Sequence, residues 1–189
     1  AKDKKSRQKV KDIRKITENS AVYSTSVAGK GFGGNVVLIK YRGLVLGLMP
    51  NNVTDSHVGS VIDLTRDGNV VAKGQVVSVD KATNLSVILI EDSEGLKTPY
   101  LLASDYPLSQ QVLYVNGHST KDGRPFVAIS KFDKKDLDNG YLVLRNTVDE
   151  EQAGAAIINE DARLFGIVVN QQVVDFNTLR PLLTQSVGS

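Results

Sequence analysis

The stretch that decides the fold is Asp149-Glu150-Glu151-Gln152-Ala153-Gly154-Ala155-Ala156-Ile157-Ile158-Asn159-Glu160-Asp161-Ala162-Arg163-Leu164-Phe165-Gly166-Ile167-Val168-Val169. Two apolar segments flank a polar turn, and a run of small residues precedes the first of them. Short β-branched and apolar segments on either side of a polar turn are typical of a β-hairpin. We therefore predict an antiparallel hairpin here, entered through a tightly packed turn.

Similar short β segments recur before and after this hairpin. Turn signals such as Asp67-Gly68 and Asp122-Gly123 separate them, and Asp-Gly is favoured because both central residues of a type I′ turn need positive φ. The predicted strands are Ala21–Val27, Val36–Tyr41, Leu44–Leu48, Ser60–Leu64, Val70–Ser78, Leu85–Ile90, Gln111–Asn116, Arg124–Lys131, Gly140–Asn146, Ala156–Asn159, Leu164–Asn170 and Gln172–Val174. Two groups of six strands predict an all-β fold of two six-stranded antiparallel barrels, and β-sandwiches, which give similar strand spacing, are the alternative.

Short helices are predicted at both ends of the chain. Residues 1–19 form a charged leader that becomes an amphipathic helix, with Val10, Ile13 and Ile16 on one side. Near the other end, Asn177 is the predicted N-cap of a helix that has Pro181 in its first turn. The predicted organisation is the leader at 1–19, one barrel at 20–95, the other barrel at 96–174, and a C-terminal helix and tail at 175–189. Residues 20–189 together form one domain.

The composition excludes several kinds of site. The 189 residues include no cysteine and two histidines, His57 and His118. Disulfides, cysteine nucleophiles and cysteine- or histidine-rich metal sites are therefore excluded, and no metal and no cofactor is predicted. Both histidines are predicted to be exposed loop or turn residues. No run of 18 apolar residues occurs, so no membrane span is predicted.

Positive charge is concentrated at the start of the chain. Residues 1–20 carry eight basic and three acidic side chains, whereas the remainder carries 15 basic and 18 acidic ones. The body therefore lacks the basic signature of a nucleic-acid-binding domain, and no nucleic-acid partner is expected. For the leader two interpretations stay open. It is either a solvated segment packed by one helical turn, or a polybasic patch for anionic lipid or nucleic acid.

Three segments resemble, in order, the catalytic segments of the HtrA/Deg branch of the chymotrypsin-fold serine proteases. Gly43-Leu-Val-Leu-Gly-Leu-Met-Pro-Asn-Asn52 resembles the histidine run Gly-Leu-Ile-Leu-Thr-Asn-Asn-His-Val-Val of that family. Asp80-Lys-Ala-Thr-Asn-Leu-Ser-Val-Ile-Leu-Ile90 resembles its aspartate run, Asp-Pro-Arg-Thr-Asp-Leu-Ala-Leu-Leu-Lys-Ile. Glu151-Gln-Ala-Gly-Ala-Ala-Ile157 resembles its serine run, Gly-Asn-Ser-Gly-Gly-Pro-Leu. The resemblance covers residues 20–186 and implies a chymotrypsin-like fold.

The same resemblance implies where a catalytic triad would lie, and this chain carries other residues there. Pro50 stands at the histidine position, Asn84 at the aspartate position and Ala153 at the serine position, and Glu151 replaces a glycine of the oxyanion hole. The triad needs an imidazole base, a carboxylate and a hydroxyl nucleophile, and a carboxylate near the hole opposes a developing oxyanion. The sequence therefore predicts no catalytic residue and a chain that is not an enzyme. It predicts an inactive, HtrA-like pseudoprotease with a degenerate triad.

The implied role is to bind a protein or an extended peptide, or to act as a scaffold. Active members of the family add substrate as a β-strand beside the serine hairpin, and the corresponding edge here is Val168, Val169 and Asn170. One alternative is an assembly or regulatory subunit of an active protease complex. The other alternative is a serine protease with a displaced, unrecognised site.

The resemblance also implies partners and a location. Family members assemble as trimers, so a homo-oligomer or association with an active protease is expected. The expected location is extracytoplasmic, near a membrane and anchored upstream of residue 1. An organellar or cytoplasmic location is the alternative.

Overall fold

The computed structural model describes residues 2–27, 31–51 and 57–187. Thirteen strands lie between two helices in the described part of the chain, with one short 3-10 turn at Glu150–Gln152. The helices are α1 (Lys2–Glu18) and α2 (Phe176–Ser186). The strands are β1 (Val22–Val27), β2 (Gly31–Tyr41), β3 (Leu44–Pro50), β4 (Val61–Arg66), β5 (Asn69–Asp80), β6 (Leu85–Ile90), β7 (Tyr100–Leu102), β8 (Val112–His118), β9 (Pro125–Asp136), β10 (Tyr141–Leu144), β11 (Ala156–Ile158), β12 (Arg163–Val169) and β13 (Gln172–Asp175).

The first six strands close into an antiparallel barrel. β1 pairs with both β2 and β4, and the ring continues through β2–β3, β3–β6, β6–β5 and β5–β4. In β5 the residues Ala72, Gly74 and Val76 are buried while Lys73 and Gln75 are exposed, which is the period of two that a strand with one face on a core shows. The interior is filled by fully buried side chains: Leu38, Leu46, Leu48, Leu64, Leu85 and Ile88.

The remaining strands pair in the order β7–β12–β11–β8–β9–β10–β13, and β12 also pairs with β13. The three-residue strand β7 is parallel to both β2 and β12, so it joins the first barrel to these later strands. A buried cluster that includes Leu113, Ile157, Phe165 and Phe176 fills the space between the later strands and α2. The predicted all-β character is confirmed, together with one closed six-stranded barrel.

Three strands differ from the sequence-based prediction by more than two residues. β2 begins at Gly31, five residues before the predicted start at Val36. β7 was not predicted, since three residues are too few to show a hydrophobic period. β9 continues to Asp136, five residues past the predicted end at Lys131, because its last part pairs with Tyr141–Val143 of β10. The domain boundaries at 19, 95 and 174 stay a prediction.

Both helices differ in detail from the prediction. In α1, Ile13 and Ile16 are half-buried, whereas Val10 is 55% exposed and does not share their packed face. In α2, the N-cap is Asp175 rather than Asn177, and the Asp175 carboxylate accepts a hydrogen bond from the Thr178 N–H at 2.9 Å. Pro181 is consequently the sixth helical residue and lies beyond the first turn. Neither described helix is both long enough and apolar enough to cross a membrane.

We expect Asp175→Ala to lower the free energy of unfolding by about 1–3 kcal/mol. The side chain is 2% exposed and accepts from Thr178 N–H and, at 2.8 Å, from the Tyr106 hydroxyl. The substitution therefore removes the cap and leaves a phenol without its acceptor. Urea unfolding monitored by circular dichroism measures the change.

Asn177→Ala is the matched control, because Asn177 is exposed and is the cap that the sequence predicts. We expect it to cost less than about 1 kcal/mol. An equal loss of stability in the two variants would show that Asp175 is not the principal cap.

Candidate functional site

The histidine and aspartate positions of the resemblance lie side by side. Pro50 is the buried last residue of β3 and is the strand partner of Leu85 in β6. Asn84 directly precedes β6 with φ +60°, and its carbonyl accepts a hydrogen bond from the Asn51 N–H at 2.9 Å. The β3–β6 pairing therefore holds the two positions together.

The serine position reaches the same place from the other side. Ala153 ends the 3-10 turn, and Gly154 follows with φ +81°. A Cβ on Gly154 would lie 2.9 Å from Cβ of Asn35 and 3.2 Å from Cδ of Pro50, which is too close for any side chain. The structure thus brings Pro50, Asn84 and Ala153 into one neighbourhood. Their assignment as a degenerate triad stays a prediction.

The turn around Glu151 uses its own main-chain donors. The Glu151 N–H donates to Oδ1 of Asp149 at 3.0 Å, and the Ala153 N–H donates to the Glu150 carbonyl at 3.3 Å. In serine proteases the oxyanion hole is formed by the N–H of the nucleophile and that of the residue two positions before it. Both corresponding donors are bonded inside the turn here. The assignment of Glu151 as a degenerate hole position stays a prediction.

A residue that sequence reasoning missed holds the site together. Asn35 of β2 is fully buried, and its Nδ2 donates to the His118 carbonyl at 2.9 Å and to the Ala153 carbonyl at 2.7 Å. Its Oδ1 accepts from the His118 N–H at 2.7 Å and lies 3.2 Å from Nδ1 of His118. Two carbonyls can only accept, so the amide nitrogen must face them. One side chain of the first barrel therefore anchors both the β8 end and the Ala153 turn.

His118 is not the exposed turn residue that the sequence predicts. It is the last residue of β8, is half-buried, and its ring lies 6.1 Å from that of Phe32. Burial lowers the pKa of His118 below its ordinary 6.5, the positive charge of Arg66 lowers it further, and Asp67 partly offsets this. Because Oδ1 of Asn35 is an acceptor, the neutral ring carries its proton on Nδ1. His57, by contrast, is exposed as predicted.

A cleft of about 240 Å³ lies between the Ala82–Thr83 turn, which precedes Asn84, and the later strands. Its apolar wall is formed by Val169, Val174 and Tyr141. Amide and hydroxyl side chains complete the lining: Thr83, Asn139, Asn170, Gln172 and Thr178. None of these lining side chains is charged. Elsewhere in the described residues no group of three or more histidine, aspartate or glutamate side chains is placed to hold a metal ion.

The predicted peptide edge borders this cleft, and its main-chain groups are paired within the chain. The Val168 N–H donates to Ala155 and its carbonyl accepts from Gly154, while Val169 is the strand partner of Gln172. Asn170 is exposed and forms a two-residue turn with Gln171, both with positive φ. In this conformation strand addition along Val168 and Val169 would require these hydrogen bonds to open. The edge stays a prediction.

Two solved structures share this architecture. The serine endoprotease from Yersinia pestis superposes with a TM-score of 0.67 at 17% identity, and the match covers 92% of this chain. This chain spans only 66% of the length of that structure. The inactive form of the Rv3671c protease superposes with a TM-score of 0.68 at 14% identity, covering 93% of this chain and 92% of its own. No protein-family model and no curated protein matches the sequence.

These similarities confirm that the chain has the chymotrypsin-like barrel fold of serine endoproteases. They also contradict the prediction that the chain is not an enzyme, because both structures with this fold are proteases and the fold therefore points toward protease activity. At 14–17% identity a shared fold carries no residue-by-residue correspondence. Side-chain types at three aligned positions consequently do not establish inactivity.

We expect Asn35→Ala to lower the free energy of unfolding by about 2–4 kcal/mol, because it leaves buried groups of His118 and Ala153 without partners. Chemical denaturation followed by fluorescence or circular dichroism measures the loss. Asn139→Ala is the control, since Asn139 is exposed and its amide bonds only to the carboxylate of Asp136. A similar small loss in both variants would refute the anchoring role of Asn35.

We expect the His118 ring to titrate below pH 6.5 in the folded protein, in line with the lowered pKa. Proton NMR of the His57→Gln variant measures this directly, because His118 is then the one histidine left. The unfolded chain binds the proton more tightly than the folded one. His118 therefore stabilises the fold fully above pH 6.5, and this contribution falls as the pH drops through the folded pKa, by at most about 1.4 kcal/mol per pH unit. Titration at or above 6.5 would contradict the burial described above.

Proposed function

We propose that this chain is a binding module on the chymotrypsin-like fold, and that it takes an extended protein or peptide segment in the cleft beside Ala82 and Asn170. The observation that carries the proposal is the cleft itself, with an apolar wall of Val169, Val174 and Tyr141 and a rim of amides and hydroxyls. An apolar wall with a few polar groups is the usual make-up of a recognition site.

The size of the cleft supports a segment of polypeptide over a cofactor. Pockets that enclose small molecules are about 300–1,000 Å³, whereas this cleft is about 240 Å³. That volume suits one or two side chains of a longer ligand. Because the described lining residues carry no charge, the side chains that enter should be uncharged.

The chemistry of the neighbouring positions also supports recognition. Pro50 has no proton-accepting ring nitrogen, Asn84 has no negative charge, and Ala153 has no hydroxyl. The side chains that line the cleft are apolar or hydrogen-bonding, and such side chains suit the holding of a ligand.

The proposal includes a second six-stranded barrel, built from β8 to β13, as one wall of the cleft. It is supported by a series of pairings that returns to its starting strand: β8–β9, β9–β10, β10–β13, β13–β12, β12–β11 and β11–β8. Val169 and Val174 of the apolar wall lie in β12 and β13, which are two of these strands.

An extended-peptide library displayed on phage and panned on the immobilised chain tests this function. We expect saturable binders with uncharged residues in their contact region, and Ala82→Trp should weaken them by at least about tenfold because the indole fills the cleft. Ala82 is exposed and makes no side-chain hydrogen bond, so the substitution removes nothing else.

Ser93→Trp is the matched control, placed in an exposed loop away from the cleft lining. Equal binding by both variants, or no saturable binder to the parent chain, would overturn the proposal. A fluorophosphonate probe is the second arm. Covalent labelling of the parent chain would show that it has a reactive serine. Hydrolysis, and not ligand binding, would then be its function.

A further inference from the structure

Helix α1 carries a row of four basic side chains that we name the basic stripe: Lys4, Arg7, Lys11 and Arg14. Their spacing of three, four and three residues places them within an arc of about 80° on the helix surface and along about 15 Å of its axis. All four are exposed. Glu18 takes the next position of the row and ends the stripe.

The stripe points away from the body of the protein. The packed side of α1 contains Ile13 and Ile16, and Ile16 contacts the main core. At 100° per residue the middle of the stripe lies about 170° from these two isoleucines. Among the side chains that the structure describes, at 4–26, 32–51 and 57–187, the ion pairs are Lys73–Asp63 and Arg124–Asp122, and neither involves the stripe. Four positively charged side chains therefore face solvent in one line.

We propose that the basic stripe binds a negatively charged lipid surface. A flat array of anionic headgroups can meet all four side chains at once, because they lie in one row on one side of the helix. The apolar residues Ile13 and Ile16 are engaged by the body, so the helix lies on the headgroups and is attracted by charge rather than by insertion. Each basic residue near such a surface raises partitioning by about fivefold.

The observations favour lipid over nucleic acid. The sequence of α1, KDKKSRQKVKDIRKITE, has no aromatic side chain for stacking on bases. Beyond residue 20 the chain carries 15 basic and 18 acidic groups, so a long polyanion that follows the protein surface is repelled once it leaves α1. A planar surface can meet the exposed row of α1 without following the rest of the protein surface.

Vesicle co-sedimentation of the whole chain tests the inference. We expect binding to phosphatidylcholine vesicles that contain about 30% phosphatidylserine, no binding to phosphatidylcholine alone, and release between about 0.1 M and about 0.5 M salt. The triple variant Lys4→Gln, Arg7→Gln and Lys11→Gln should partition about 100-fold less, as three steps of about fivefold give. Glutamine preserves helix propensity, which circular dichroism checks.

The control is Lys81→Gln, Lys121→Gln and Lys134→Gln, which removes the same charge from exposed sites on the body. It should change partitioning by less than about threefold, since these residues are not in the stripe. If both triple variants lost vesicle partitioning equally, the net charge of the protein rather than the stripe would explain binding, and the inference would be overturned. Binding to a duplex oligonucleotide at least as tight as to the anionic vesicles, at the same salt, would assign the stripe to nucleic acid instead.

Discussion

The amide of Asn35 is the contact on which the arrangement of the site depends. It comes from the first barrel, yet its partners are His118 at the end of β8 and Ala153 in the turn before β11. The Asn35 amide donates to the His118 carbonyl and accepts from the His118 N–H, as the main chain of a neighbouring strand would. Since the side chain is fully buried, each of these bonds replaces water that the groups have lost, and an unmade bond would leave a desolvated polar group. The amide therefore fixes how the two parts of the fold meet.

Close packing around this amide explains the small residues of the segment. A Cβ on Gly154 would meet Asn35 at 2.9 Å, and a Cβ on Gly117 would meet Cβ of Ala155 at 2.9 Å. Gly154 also has φ +81°, which other residues adopt at a cost. The run of small side chains is thus required by the approach of β2, β8 and the turn to one another. This requirement holds for a binding protein as much as for a protease.

Sequence patterns predicted most strands because a strand with one buried face shows its alternation of apolar and polar residues within a few neighbouring positions. They failed where the cause lies far along the chain. Asn35 and His118 are 83 positions apart, and only the fold brings them together, so neither the buried amide nor the lowered pKa of His118 leaves a local signal. Asp175 rather than Asn177 caps α2, and its carboxylate accepts from the Thr178 N–H and from the hydroxyl of Tyr106, which is 69 positions away in the chain. That Pro50 and Ala153 lie near each other in space could be predicted only from the family resemblance.

The internal hydrogen bonds of the 3-10 turn and the side chains at the predicted triad positions constrain the possible chemistry to different degrees. The bonds made by Glu151 N–H and Ala153 N–H are worth about 1 kcal/mol each in net stability, and a bound ligand could supply that much. A change of turn conformation could therefore free both donors, so the closed hole does not by itself separate binding from hydrolysis. No conformational change, however, gives Ala153 a hydroxyl or Pro50 an imidazole. On the predicted triad assignment, protease activity would take its nucleophile and its base from other residues.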